Sequence, residues 1–297
     1  MRYRKRRLLF LREKHLRIII GVAIALAVIA ILYVILSATG HEAKKQSAVN
    51  EIKDTGLINI GLRGDLGKLC TYNEETNQFE GYEKDVADEI VSRLFGGDIL
   101  VNFVPVNTET RTAYLRRGDI DMALGAATNM GERRIIYSAS YFSEGSAFLV
   151  IEENTASMDD LSGGRIAVVH GTMHAQESED NNDDKNATLM SEYLKILDIE
   201  AYVKEYASYP EAVQALRDGF VDAVCASETA LTRFGMTGML LLPERFMPSD
   251  YRVCFSQSAG LFSEAVDEVI AAMKQDGTLD TLMQKWDLVN YEVLEEQ

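Results

Sequence analysis

The chain has 297 residues, 47% hydrophobic and 26% charged, with a net charge of −16, enough to bury one or two substantial cores. The first 17 residues hold eight Lys/Arg against one Asp/Glu, which leaves 22 against 45 in residues 18–297, a net −23. A body that acidic argues against a nucleic-acid partner, and any anionic ligand of it needs locally placed arginines.

Taken in order, residues 1–17 are a basic head, followed by nineteen uncharged residues, Ile18 to Leu36. At ~1.5 Å per residue such a run reaches roughly 30 Å, the depth of a bilayer core. It is longer than the apolar core of most cleaved leaders. The expectation is a transmembrane signal-anchor over 18–37 with the head in the cytoplasm and the rest outside the cell; cleavage near Ala38 or Gly40 is the alternative. Residues 38–55 read as a polar linker.

The folded part opens with a strand, LINIGL (Leu57–Leu62), then a polar hairpin-like stretch. A one-sided helix follows over Tyr82–Phe95, with Tyr82, Val86, Ile90 and Leu94 on one face. A strand at Ile99–Val106 and a helix at Thr110–Arg117 lead to LRRGDIDMALGAATNMGERR (Leu115–Arg134). There a Gly stop precedes an apolar run and a loop of small residues, and Glu132 with Arg133 marks a new helix start. A strand that ends in small residues and feeds a helix is how open α/β sheets build anion sites. LRDGFVDAVCAS (Leu216–Ser227) echoes LRRGDIDMALGA in register, which points to two α/β lobes facing one cleft.

Ser146–Ile151 carries the chain into the second lobe and Tyr251–Phe255 returns it. Arg165–Val169 is a strand closed by HGT. The acidic stretch Glu177–Asn186 lacks the spaced ligands and turn Gly of a calcium loop, and Asn186-Ala187-Thr188 fits a glycosylation sequon. His170 and His174 stand four apart without further ligands around them, so no metal and no cofactor is expected. Cys70, Cys225 and Cys254 make no framework. Buried thiols are expected at Cys225 and Cys254, and a Cys70–Cys254 bridge stays open. Ser263 is read as the cap of a late amphipathic helix, with a last helix starting at Thr278.

Five stretches, EGYEKDVADEI, VPVNTETRTAYLRRGDIDMAL, DDLSGGRIAVVHGT, ALRDGFVDAV and KQDGTLDTLMQKW, together resemble the family 3 extracellular solute-binding proteins over about residues 56–290. GLRGDLGKL and VNTETR are most similar to the branch that binds acidic amino acids and glutamine. The resemblance implies a two-lobe periplasmic-binding-protein-like α/β fold (type II) with two crossovers: lobe 1 over 56–150 and 250–297, lobe 2 over 151–249. It implies the substrate-binding component of an ABC importer, a non-enzyme whose partners are a small amino acid or related carboxylate and a membrane permease.

By position, the resemblance assigns Arg133 to the ligand α-carboxylate, helped by backbone N–H groups near Thr172 and Met173. Thr128 and the Ala126 carbonyl take the α-ammonium, and Arg63 and Arg111 a side-chain carboxylate. Where the family commonly has an Asp for the ammonium, this chain has Ser227, followed by Glu228. That departure opens the ligand to dicarboxylates and modified amino acids. Two alternatives remain: a cyclohexadienyl-dehydratase-like enzyme with Glu228 as general acid, and a sensory ectodomain. No Ser or Cys beside a His forms a recognisable nucleophile pattern in the sequence.

Overall fold

The computed structural model describes residues 2–155, 157–175, 188–234 and 236–291, with side chains from residue 29 onward except at Met173. The acidic stretch and the sequon therefore lie outside the described residues. So do the side chains of the basic head and of the first eleven positions of the uncharged run. Two compact units, Met1–Asn50 and Glu51–Gln297, make up the chain.

The first unit is helical. α1 (Arg2–Thr55) runs without a break through the uncharged run and the stretch expected as a linker. Residues 38–55 contain no Pro and hold three Ala, three Lys and two Glu, which lose little on entering a helix. The large apolar side chains from Ile29 to Leu36 are 52–73% exposed. Among the described residues no helix is long and apolar enough to cross a membrane.

In the second unit β1 (Leu57–Leu62) leads to a hairpin of β2 (Thr71–Asn73) and β3 (Gln78–Glu80). α2 (Tyr82–Phe95) buries Tyr82, Val86 and Ile90, spaced four apart on the face the apolar period marks. It stops at Gly96, whose φ of 65° suits a residue without Cβ. After β4 (Leu100–Pro105), α3 (Thr108–Arg117) starts on a capping box between Asn107 and Thr110 and ends at Gly118. β5 (Met122–Ala123) then gives way to the long β6 (Ile135–Ile151).

The far half holds β7 (Arg165–Val169), α4 (Leu189–Ile196), β8 (Tyr202–Tyr206), α5 (Tyr209–Arg217), β9 (Ala223–Ser227), α6 (Glu228–Thr232) and β10 (Met239–Leu241). β11 (Phe246–Ser256) brings the chain back to α7 (Gly260–Gln275) and α8 (Thr278–Lys285). Ser263 lies inside α7, its hydroxyl donating to the Gly260 carbonyl, rather than capping it.

The strands join in the order β4-β1-β5-β11-β6-β9-β7-β8, with β10 beside β6. β4, β1 and β5 are parallel, as are β9, β7 and β8. The two parallel groups are the sheets of two α/β lobes. β6 and β11 pair antiparallel along both and are the crossovers.

The internal echo has a structural cause. Asp121 accepts the Asn59 N–H of β1 at 2.8 Å, and Asp222 accepts the Arg165 N–H of β7 at 2.8 Å. Each Asp also returns its own N–H to the same residue's carbonyl. Gly118 and Gly219, at φ 76° and 73°, make the preceding turn in each lobe. All three cysteines are free and buried, so the Cys70–Cys254 bridge left open by the sequence is not formed.

Candidate ligand-binding site

A cavity lies beyond the carboxyl ends of β1 and β5 in one lobe and of β7 and β9 in the other, where open parallel sheets leave backbone groups free for ligands. It is walled by Arg63, Thr108, Arg111, Ala126, Thr128 and Met130 from the first lobe. Gly171, Thr172, His174, Tyr209 and Ser227 come from the second, and Ser249 and Tyr251 from the β11 crossover. Its volume is about 50 Å³. The lobes touch: a methyl at Gly171 would stand 3.4 Å from Thr108 Cγ2, and one at Gly67 3.3 Å from Arg233 Cβ.

Six of the nine residues singled out from the sequence meet here: Arg63, Arg111, Ala126, Thr128, Thr172 and Ser227. Arg111 projects from α3 and is only 4% exposed, with Nη1 donating to the Gly125 carbonyl at 3.1 Å. Arg63 is committed otherwise than expected. It makes a fork–fork pair with Asp65, at 2.5 and 3.0 Å, and stands 5.9 Å from the Tyr209 ring centroid of the opposite lobe. The Thr172 N–H is turned to the Val169 carbonyl rather than into the cavity. Met173 falls in the short 3-10 turn Met173–Ala175 after β7.

Arg133 and Glu228 are not on the cavity wall. Glu132–Ile135 forms a turn, with Ile135 N–H returning to the Glu132 carbonyl, and enters β6 directly rather than opening a helix. Arg133 is left exposed, and its carbonyl takes two donors from Arg116, at 2.6 and 3.1 Å. Its neighbour Arg134 is also exposed, at φ 64°. Glu228 pairs with Arg245 at 2.7 Å, so the acid named for the dehydratase alternative stands outside the cavity.

Two buried carboxylates that the sequence reading passed over hold the wall in place. Glu83, on α2, accepts the Ala126 N–H at 2.7 Å and the Tyr141 hydroxyl at 2.5 Å. It thereby pins Ala126, whose φ of 50° is unusual for a residue with a Cβ. Glu144, on β6, accepts the Thr229 N–H at 3.0 Å, the Thr229 hydroxyl at 2.6 Å, and the Tyr251 hydroxyl. Burial pushes both carboxyls above their ordinary range, against the opposing pull of those hydrogen bonds. The sequence carried a sign of Glu144: an acid inside the apolar run YFSEGSAFLV.

His174 contacts Ser146 rather than any metal ligand: its Nε2 lies 2.7 Å from Ser146 Oγ. That hydroxyl reaches the Met247 carbonyl, which makes Nε2 the donor and leaves Nδ1 a buried acceptor with no partner among the described residues. Burial lowers the His174 pKa to about 4, so the ring is neutral at pH 7. His170 pairs with Glu205. Among the described residues no group of three or more metal-binding side chains gathers.

Residues 58–289 match the model of the bacterial extracellular solute-binding proteins, family 3. The chain belongs to this family. This solute-binding protein is 26% identical over 279 residues to the ABC transporter glutamine-binding protein GlnH of Bacillus subtilis (strain 168), covering 88% of this chain and 96% of that one. It is 24% identical to the L-cystine-binding protein TcyJ of Escherichia coli (strain K12), over 81% and 86% of the two chains. An ancestral arginine-binding protein bound to arginine shares its fold with a TM-score of 0.62 at 23% identity, over 78% of this chain and 98% of that one. The ancestral amino acid-binding protein AncCDT-1, a precursor of cyclohexadienyl dehydratase, does so with 0.64 at 21%, over 80% and 98%.

Proposed function

We propose that this solute-binding protein is the membrane-tethered, extracytoplasmic receptor of an ABC importer. Its lobes, 56–150 with 250–297 and 151–249, close on a small carboxylate ligand, an amino acid or a related acid. The observation that carries this reading is Arg111, a guanidinium 4% exposed on the wall of the cavity between the lobes. A buried cation in a chain of net charge −16 is costly to keep unless an anion completes its coordination. Arg111 holds the carboxylate, and Thr128, the Ala126 carbonyl and Ser227 face the rest of the molecule. The relatives named for glutamine and cystine support a ligand of amino-acid size, and the name of the first supports a permease partner.

A thermal-shift screen of the full chain in detergent, across amino acids and small carboxylates, tests the reading. A ligand at about 100 times its Kd adds roughly 2.7 kcal/mol to stability. Silence across all carboxylates would sink it.

The anchor rests on the uncharged run Ile18–Leu36 within α1 and on the bare apolar side chains of its described part. The mature protein is expected to sediment with membranes and to yield peptides spanning Leu8–Arg12 by mass spectrometry. A soluble product that starts near His41 would show cleavage instead.

A further inference from the structure

The wall of the cavity has cationic and neutral groups but, among the described residues, no aspartate or glutamate. The acids nearby are already committed. Asp65 is forked to Arg63. Glu144 accepts from Thr229 and Tyr251 and is also bonded to the Ser227 side chain on the wall, so its oxygens are already taken up by hydroxyl and backbone donors. Glu83 keeps one oxygen without a partner among the described residues, but it is fully buried and lies behind Ala126. Nor does the Tyr209 ring offer a free face to a cation. The Tyr209 ring already has the Arg63 and Arg233 guanidinium carbons 5.9 and 5.8 Å from its centroid.

An α-ammonium is a compact charge with three donors, and taking it out of water without a carboxylate partner is expensive. Here it would meet the Ala126 carbonyl and the hydroxyls of Thr128 and Ser227, with Arg111 in the same small cavity. A ligand with a carbonyl, hydroxyl or methylene at that position meets no such penalty. Its carboxylate gains from Arg111 as before. We infer that the cavity selects a carboxylate with no ammonium at the α position (a 2-oxo acid, a 2-hydroxy acid or a plain dicarboxylate) over the amino acid of the same skeleton.

This rests on the reading that the cavity with Arg111 is the ligand site. The test is calorimetry on the full chain in detergent with matched pairs: 2-oxoglutarate against glutamate, succinate against aspartate, lactate against alanine. In at least one pair the deaminated member is expected to bind about tenfold tighter or more, and in no pair weaker. Equal affinities throughout, or amino acids ahead in any pair, overturn the inference while leaving the receptor reading intact. No binding by any of the six overturns the inference, and together with a silent thermal-shift screen it overturns the receptor reading as well. Ser227→Asp supplies a carboxylate beside Glu144, where a bound ammonium relieves the repulsion of the two acids, and should move the ratio toward the amino acid by about tenfold, or about 1.4 kcal/mol. A folded Ser227→Asp protein with the parent's ratio also overturns the inference. The matched pairs on the parent decide the matter even if that variant fails to fold.

Discussion

Arg111→Ala is expected to abolish ligand binding, whereas Arg133→Ala binds as the parent does. A charge-assisted hydrogen bond is worth about 1.5–3 kcal/mol. Losing a two-pronged carboxylate contact therefore weakens binding by roughly a hundredfold or more. Arg111 is buried and also ties down the Gly125 carbonyl, so the alanine variant loses some stability too. Arg111→Lys separates the two effects: it keeps the charge and most of the volume but not the planar fork. Calorimetry with the tightest ligand from the screen, beside melting curves for each variant, reads both. A folded Arg111→Lys protein with undiminished affinity, or an Arg133→Ala protein without any, would overturn the assignment.

Gly81→Ala is expected to cost about 3 kcal/mol or more of stability, among the larger effects a single methyl can have. Gly81 sits at φ 138°, where side chains with a Cβ are strained. A methyl there would stand 2.5 Å from the Leu69 carbonyl oxygen and 2.7 Å from Cys70 Cα, both backbone atoms. That carbonyl already accepts the Glu83 N–H at 2.9 Å, so the chain cannot give way without moving the start of α2. Glu83 would move with it, and the Ala126 N–H it holds. Denaturant unfolding should therefore show a lower midpoint together with weaker binding. Gly96→Ala is the control: a Cβ there also has a positive φ but meets nothing within 4 Å, and α2 is already complete. A Gly81→Ala midpoint no lower than that of Gly96→Ala would contradict this account.

Much of the fold was legible because it follows local rules. The apolar period set α2, Gly118 and Gly219 ended their helices, and the echo of LRRGDIDMALGA in LRDGFVDAVCAS marked the same joint in both lobes. The sequence showed the echo but not its reason, since the bonds from Asp121 to Asn59 and from Asp222 to Arg165 span 62 and 57 residues. The site was legible as a neighbourhood and less so as a set of contacts. Arg63 and Arg111 both looked free for a ligand, and only the folded chain shows Asp65 and Tyr209 occupying the first. Arg133 was named by position in a motif, but the turn at Glu132–Ile135 leaves it exposed. Glu144 was missed because its partners, Thr229 and Tyr251, lie 85 and 107 residues away.

The paired crossovers have a mechanical consequence. Ladder hydrogen bonds between β6 and β11 resist sliding of one strand along the other, because a slip of one residue would break every bond and turn each side chain to the opposite face. The ladder is interrupted at three places, between Phe246 and Ser249, Tyr251 and Arg252, and Arg252 and Cys254, and bulges of this kind are where strands bend. The two strands together act as a leaf spring, stiff in shear and soft in flexure at those points. Tyr251 stands at one of them and on the cavity wall, its hydroxyl bound to Glu144 on the other leaf. Tyr251 thus ties the cavity wall to the strand pair at a point built to bend.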